Sequence, residues 1–200
     1  MIQDCLKGYT AYAKGEIIDD AIYPYVRHVL ENFASGELKE KIVTSVLGYE
    51  QSNDSIHGED ALNNNRPVEI KCETATPLCG AAAWTSTNTD TKLQKLFESD
   101  QEFVLAGWTK KGRLVYIISC NLNDTDIIVK ISDKIHEHRV RTSNLTPKTT
   151  HTQLGDADVK LLYFNEKYAD ETDISKPFLE KLRNYGWQWP SLFDTIITDE

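Results

Sequence analysis

Apolar residues along the chain follow two rhythms. Over residues 17–34, Ile18, Ile22, Tyr25, Val26, Val29, Leu30 and Phe33 recur at the three- and four-residue spacing of an amphipathic helix. Asp19 and Asp20 near its start suit the positive end of a helix dipole. A second helix is predicted from about Gly36 or Glu37 to Leu47, with Leu38, Ile42, Val43, Val46 and Leu47 turned inward. The period then shortens to two. Extended segments are predicted over residues 55–62 and 67–73, and on the second of these Val68, Ile70 and Cys72 share one face while Glu69 and Lys71 share the other. Residues 74–90, rich in Thr, Ser, Ala and Asn, read as a loop, and residues 90–98 as a short helix.

Two apolar strands follow, over residues 102–108 and 113–120, joined by Lys110-Lys111-Gly112 as a hairpin turn. The unbroken run Leu114, Val115, Tyr116, Ile117, Ile118 is what a strand covered on both faces requires. Residues 125–136 fit either a helix or a strand. A strand is predicted over residues 159–164 and a helix over 174–185, with Pro177 in its first turn and Gly186 as its stop. No repeat or linker divides the chain, so residues 1–200 are expected to form one domain. Its class is expected to be α/β, a central mixed β-sheet flanked by α-helices.

Composition narrows the possibilities. The 200 residues are 40% hydrophobic and 26% charged, ordinary values for a globular protein. No apolar run approaches a membrane span, and the first residues lack a basic region leading into an apolar stretch, so an intracellular, cytoplasmic protein without membrane contact is expected. Cys5, Cys72, Cys79 and Cys120 form no metal-ligand spacing, and Cys72 and Cys120 read as reduced core residues. The formal net charge of −9 excludes indiscriminate coating of a polyanion. It leaves room for a specific contact, because the positive charge is unevenly spread. From His138 to Gly155 there is no acid, and Arg139, Arg141 and Lys148 stand among Ser, Thr and Asn.

The chemistry concentrates at Asp60-Ala-Leu-Asn-Asn-Asn-Arg-Pro-Val-Glu69-Ile-Lys71. With Asn64 and Asn65 as central turn residues, a hairpin pairs Asn63 with Arg66 and Asp60 with Glu69. Two carboxylates then stand side by side with Lys71 next along. They repel unless a cation neutralises them, so removing either is expected to stabilise the metal-free protein slightly. Mg²⁺ is commonly held by one or two carboxylates together with phosphate oxygens, and a lysine beside it can orient a water and offset charge on a phosphate. This is the equipment of metal-assisted phosphodiester hydrolysis.

The segment from Glu50 to Glu73 resembles the PD-(D/E)xK nuclease superfamily, the restriction-endonuclease-like fold. Asp60 matches its metal aspartate, Glu69 its second acid and Lys71 its lysine, although Glu59 stands where the family usually has proline. The resemblance implies Asp60 and Glu69 as metal ligands for Mg²⁺, with Mn²⁺ as a substitute, and Asp60, Glu69 and Lys71 as catalytic residues. Glu50 is the candidate for the further acid that many members carry on the helix before the metal strands. The implied activity is sequence-specific cleavage of double-stranded DNA to 5′-phosphate and 3′-hydroxyl ends, by a symmetric homodimer. A catalytic core of about residues 17–121 would be followed by a recognition and dimerisation elaboration of about residues 122–200. There Arg139, Arg141 and Asn144 would read bases, and Ser143, Lys148 and Thr149 would touch phosphates. The alternatives are a homing, repair or junction-resolving nuclease of the same fold, or a DNA-binding domain without catalysis.

Overall fold

The computed structural model describes residues 2–32, 34–52, 59–75, 81–82, 98, 100–121, 149–150, 160–174 and 176–185. Three helices come first: α1 (Ile2–Lys14), α2 (Tyr23–Asn32) and α3 (Gly36–Leu47). The strands are β1 (Glu50–Gln51), β2 (Ala61–Asn63), β3 (Arg66–Thr74), β4 (Ala81–Ala82), β5 (Glu102–Trp108), β6 (Leu114–Asn121), β7 (Thr149–Thr150) and β8 (Lys160–Phe164). Helices α4 (Glu166–Ala169) and α5 (Lys176–Tyr185) follow.

Six strands form one mixed sheet in the order β1-β2-β3-β5-β6-β8, and β4 pairs with β7 in a separate ribbon. β3 and β5 run parallel, with Glu69 opposite Phe103 and Lys71 opposite Leu105, while the other neighbours are antiparallel. Helices flank the sheet, so the α/β class with a central mixed sheet is the one the chain adopts. On one face, α1, α2 and α3 bury Tyr12, Val26, Leu30, Ile42 and Val43 against Val68, Ile70, Val104 and Ile117. On the other, α4 and α5 bury Tyr168 and Leu182 against Phe103, Leu105, Tyr116 and Leu161. Leu114 to Ile118 are all buried, as expected of an inner strand.

Local chemistry explains the boundaries. Ser35 caps α3 by accepting the Leu38 N–H at 3.2 Å, and Gly48 closes it in the left-handed conformation, φ 68°. The helix expected over residues 17–34 begins only at Tyr23, because Pro24 is tolerated in the first turn and not inside. Ile22 and Tyr25, assigned to its inner stripe, are therefore exposed, while Val26 and Leu30 are buried. Helix α1 and the short α4 were not anticipated. The β5–β6 turn uses Gly112 at φ 73°, and any β-carbon there would lie 2.7 Å from that of Leu30. Gly107 is small for another reason: the Tyr116 ring occupies the space a side chain would take, and its hydroxyl donates to Glu73.

Of the remaining expectations, the short helix over residues 90–98 and the ambiguous 125–136 segment lie outside the described residues, apart from Glu98, which is helical. The final strand and helix form at Lys160–Phe164 and Lys176–Tyr185. Cys72 and Cys120 are free thiols, and burial pushes the Cys72 thiol up to about 12. Among the described residues no helix is long and apolar enough to cross a membrane.

Candidate functional site

The site is built where β2 and β3 part. Asn64 and Asn65 both take positive φ, 52° and 66°, the conformation that a two-residue hairpin turn demands and asparagine tolerates. They bring Asn63 opposite Arg66 and Ala61 opposite Val68, the expected register. The turn is held from behind by two polar contacts. Asn63 Nδ2 donates to the buried Glu102 carboxylate at 2.9 Å, and Arg66 bridges to Asp100 Oδ1 at 3.1 Å.

The ladder stops one residue short of the expected Asp60–Glu69 pair. The Asp60 N–H donates to the Val68 carbonyl at 2.8 Å, so Asp60 and Ala61 both face Val68. Ile70 N–H, which points back towards β2, is left without a strand partner there. The Asp60 side chain supplies one, Oδ2 accepting from Ile70 N at 2.7 Å. Asp60 thus meets β3 in the plane of the sheet, between Glu69 and Lys71 along the strand, and its Oδ1 takes no hydrogen bond among the described residues.

On β3 itself, Glu69 and Lys71 point away from the α3 side and form an ion pair, with Lys71 Nζ also 3.3 Å from the Ile70 carbonyl. Glu69 is buried at 8% exposure. Burial works against charge on Lys71, yet attraction from Glu69, then Asp60 and Glu40, prevails and raises its pKa. Lys71 therefore keeps its proton through the neutral range.

The fourth member of this group is Glu40 on α3, which was not singled out from the sequence. Burial, then Asp60, pushes its carboxyl up to about 7, with Glu69 adding and Lys71 opposing. Its position is explained by helix geometry, since Glu40 precedes the buried Val43 and Thr44 by three and four residues and shares their inward face. An acid on an otherwise apolar stripe was the available signal. Glu50, the expected further acid, lies instead on the exposed edge strand β1, opposite Leu62.

Three carboxylates thus act on one ammonium. Their oxygens are hard donors, which fit a hard divalent cation better than a soft one. Among the described residues no group of three or more His, Cys, Asp or Glu side chains is placed to hold a metal ion. Asp60 and Glu69 are two carboxylates, the number with which Mg²⁺ is commonly held together with phosphate oxygens.

Of the residues expected to contact DNA, Thr149 falls within the described residues; Arg139, Arg141, Ser143, Asn144 and Lys148 lie outside them. Thr149 and Thr150 pair with Ala82 and Ala81, so these two residues of the acid-free stretch are tied to the segment that follows β3.

No protein-family model matches the chain, and no curated protein matches it. Among solved structures, a chain described as "Restriction endonuclease in complex with substrate DNA" is similar with a TM-score of 0.42 and 15% identity, over 76% of this chain and 92% of that one.

Proposed function

We propose that this chain is a divalent-cation-dependent endonuclease that hydrolyses phosphodiester bonds in double-stranded DNA at a preferred sequence. The observation that carries the reading is the placement of Asp60 on the Ile70 N–H and of Glu69 in an ion pair with Lys71, at a hairpin whose sequence resembles the PD-(D/E)xK pattern. Asp60 and Glu69 would hold Mg²⁺ or Mn²⁺, with Glu40 contributing from α3. Bound there, the cation would polarise the phosphate and lower the pKa of a water.

The protein's own groups divide the remaining work. Asp60, anchored to the Ile70 N–H through Oδ2, presents Oδ1 in a fixed orientation. Lys71 stays protonated, so it orients the attacking water and offsets charge growing on the phosphate, and it is not the base that takes the proton. Arg139, Arg141 and Asn144 read base edges, and Ser143, Lys148 and Thr149 contact phosphates. Cutting both strands calls for two such sites, hence a symmetric dimer.

The test is cleavage of mixed-sequence duplex DNA by the purified chain, with Mg²⁺, with Mn²⁺ and with chelator, followed by mapping of the ends. Cation-dependent products with 5′-phosphates at one recurrent sequence are expected, and Asp60→Asn should give none. Scattered ends favour a repair or junction-resolving role. Absence of cleavage by the folded protein with either metal sinks the reading in favour of a DNA-binding domain without catalysis.

A further inference from the structure

The strand that delivers Asp60 is short. β2 has three residues and its outer neighbour β1 two. Asp60 stands just ahead of β2, its N–H on the Val68 carbonyl and its Oδ2 on the Ile70 N–H. Ladder bonds alone hold so small an edge ribbon loosely, because strand ends open first. The place of the Asp60 carboxylate therefore depends on what fixes the turn end of the ribbon.

Glu102, the first residue of β5, is buried there and forms no ion pair among the described residues. Its partners are two neutral donors from the ribbon. The Tyr49 hydroxyl lies 3.3 and 3.4 Å from its two oxygens, and Asn63 Nδ2 donates to Oε2 at 2.9 Å. The pairing of Glu50 with Leu62 sets Tyr49 beside Asn63, so both strands of the ribbon reach across β3 to one carboxylate. Tyr49 is also tied to the end of α3, its N–H donating to the Thr44 carbonyl at 3.0 Å. Burial, then Glu102 itself, raises the Tyr49 pKa, so the hydroxyl keeps its proton to donate. A carboxylate accepts at both oxygens and can gather donors from different elements. Filling the core calls for no such group, since an apolar side chain of like volume in place of a buried charge is often neutral or stabilising.

We infer that Glu102 is a positioning residue: by holding Tyr49 and Asn63 it fixes the turn end of the β1–β2 ribbon, and so keeps the Asp60 carboxylate at Ile70, between Glu69 and Lys71. Asp60 is three residues from Asn63, roughly 10 Å along a strand, a short lever for the clamp to act through. The inference rests on the nuclease reading and adds to it a residue that acts without meeting the substrate.

The experiment follows amide hydrogen exchange of the full-length protein in chelator, at Ile70 and, as reporters of the whole sheet, at Val104 and Ile117. Asp60→Ala sets the Ile70 rate once its acceptor is gone. Glu102→Leu fills the core without the acceptors. Asn63→Ala, at the half-buried turn, removes one arm of the clamp and stands in should Glu102→Leu fold poorly. Either variant should speed exchange at Ile70 by about tenfold or more relative to Val104 and Ile117, the loss expected for a hydrogen bond to a charged group. Glu102→Gln should restore Ile70 protection, since its carbonyl can accept from Asn63 and its amide can donate to the Tyr49 oxygen. In Mg²⁺, Glu102→Leu and Asn63→Ala should lower kcat by about tenfold or more with KM within a few-fold of wild type, as a misplaced catalytic group does. Wild-type exchange at Ile70 in the folded variants, an equal change at all three amides, or an unchanged kcat overturns the positioning role alone. Absence of cleavage by the wild-type protein overturns the nuclease reading and this role in it, whatever the exchange shows.

Discussion

The Asp60 carboxylate stands in for a missing strand residue, its Oδ2 accepting the Ile70 N–H at 2.7 Å. Its removal therefore does two things. Asp60→Ala relieves repulsion from Glu69 and Glu40 but leaves a part-buried N–H without an acceptor. Stranding such a donor costs about 1–3 kcal/mol, so Asp60→Ala should destabilise the metal-free protein, contrary to the expectation from repulsion alone. Asp60→Asn keeps a carbonyl acceptor and should stay closer to wild type. Both should lose cation-dependent cleavage. Urea titrations of the two variants decide the matter, and an Asp60→Ala protein more stable than wild type would show that repulsion dominates.

Glu40 makes stability depend on pH in a defined window. Its folded pKa, about 7, lies above the ordinary value of 4.5, so the folded state binds the proton more tightly than the unfolded state. The contribution is fully present below 4.5, falls as pH rises to about 7, and changes no further above that. Glu40→Gln should remove this decline. In chelator it should be more stable than wild type at about pH 8 and nearly equal to it at about pH 4. Added Mg²⁺ should raise the wild-type melting temperature at the higher pH and leave Glu40→Gln less affected. Parallel melting-temperature curves for the two proteins across this range would remove Glu40 from the site.

Lys71 should matter for turnover more than for DNA affinity. Lys71→Met is expected to bind duplex DNA in Ca²⁺ within a few-fold of wild type and to show no cleavage in Mg²⁺. The raised pKa also sets a sign for stability. What Lys71 contributes through its ion pair is present below its ordinary value of 10.5 and is lost only as pH climbs through the higher folded value. The stability gap between wild type and Lys71→Met should thus persist through the neutral range, widen as Glu40 ionises, and close in strong alkali. A gap that closes below neutrality would mean the lysine is not charged there.

Arg113 is predicted to be the most sensitive position away from the site. Its guanidinium lies 3.5 Å from the centre of the Tyr12 ring and 5.4 Å from that of Tyr168. It donates to the Tyr23 hydroxyl at 3.0 Å and to the Tyr12 carbonyl. Arg113→Ala removes both kinds of contact and should cost about 2–4 kcal/mol. Arg113→Lys should recover only part, since an ammonium cannot stack flat on a ring and donate as a fork. Chemical denaturation of the two variants measures both effects, and full recovery by lysine would reduce the role to charge alone.

Much of this was legible in the chain, and the exceptions share a cause. Strands β5 and β6 were visible because their apolar runs need no outside information. The hairpin register was visible because Asn64-Asn65 suits only a narrow set of turns. The end of the β2–β3 ladder was not, because Asp60 offers both a backbone and a side-chain partner, and the side chain took the Ile70 N–H. Glu40 looked like one more surface acid among Glu37, Lys39 and Lys41 until the hairpin gave it neighbours. Helix α1 was missed for a similar reason. Tyr12 is polar enough to blur its stripe, and its burial depends on Arg113, 101 residues away.

That separation bears on how the protein is made. During synthesis α1 emerges before the other described elements, but the arginine that clamps it arrives only after the hairpin, β3 and β5 have left the ribosome. Until then the nascent helix carries an unsatisfied apolar face, and the parallel β3–β5 pair waits as well for its second strand. A growing chain in this state is a natural client for a chaperone. A pause while Arg113 is still inside the ribosome would prolong that exposure, whereas a pause once it has cleared would let the N-terminal helices dock.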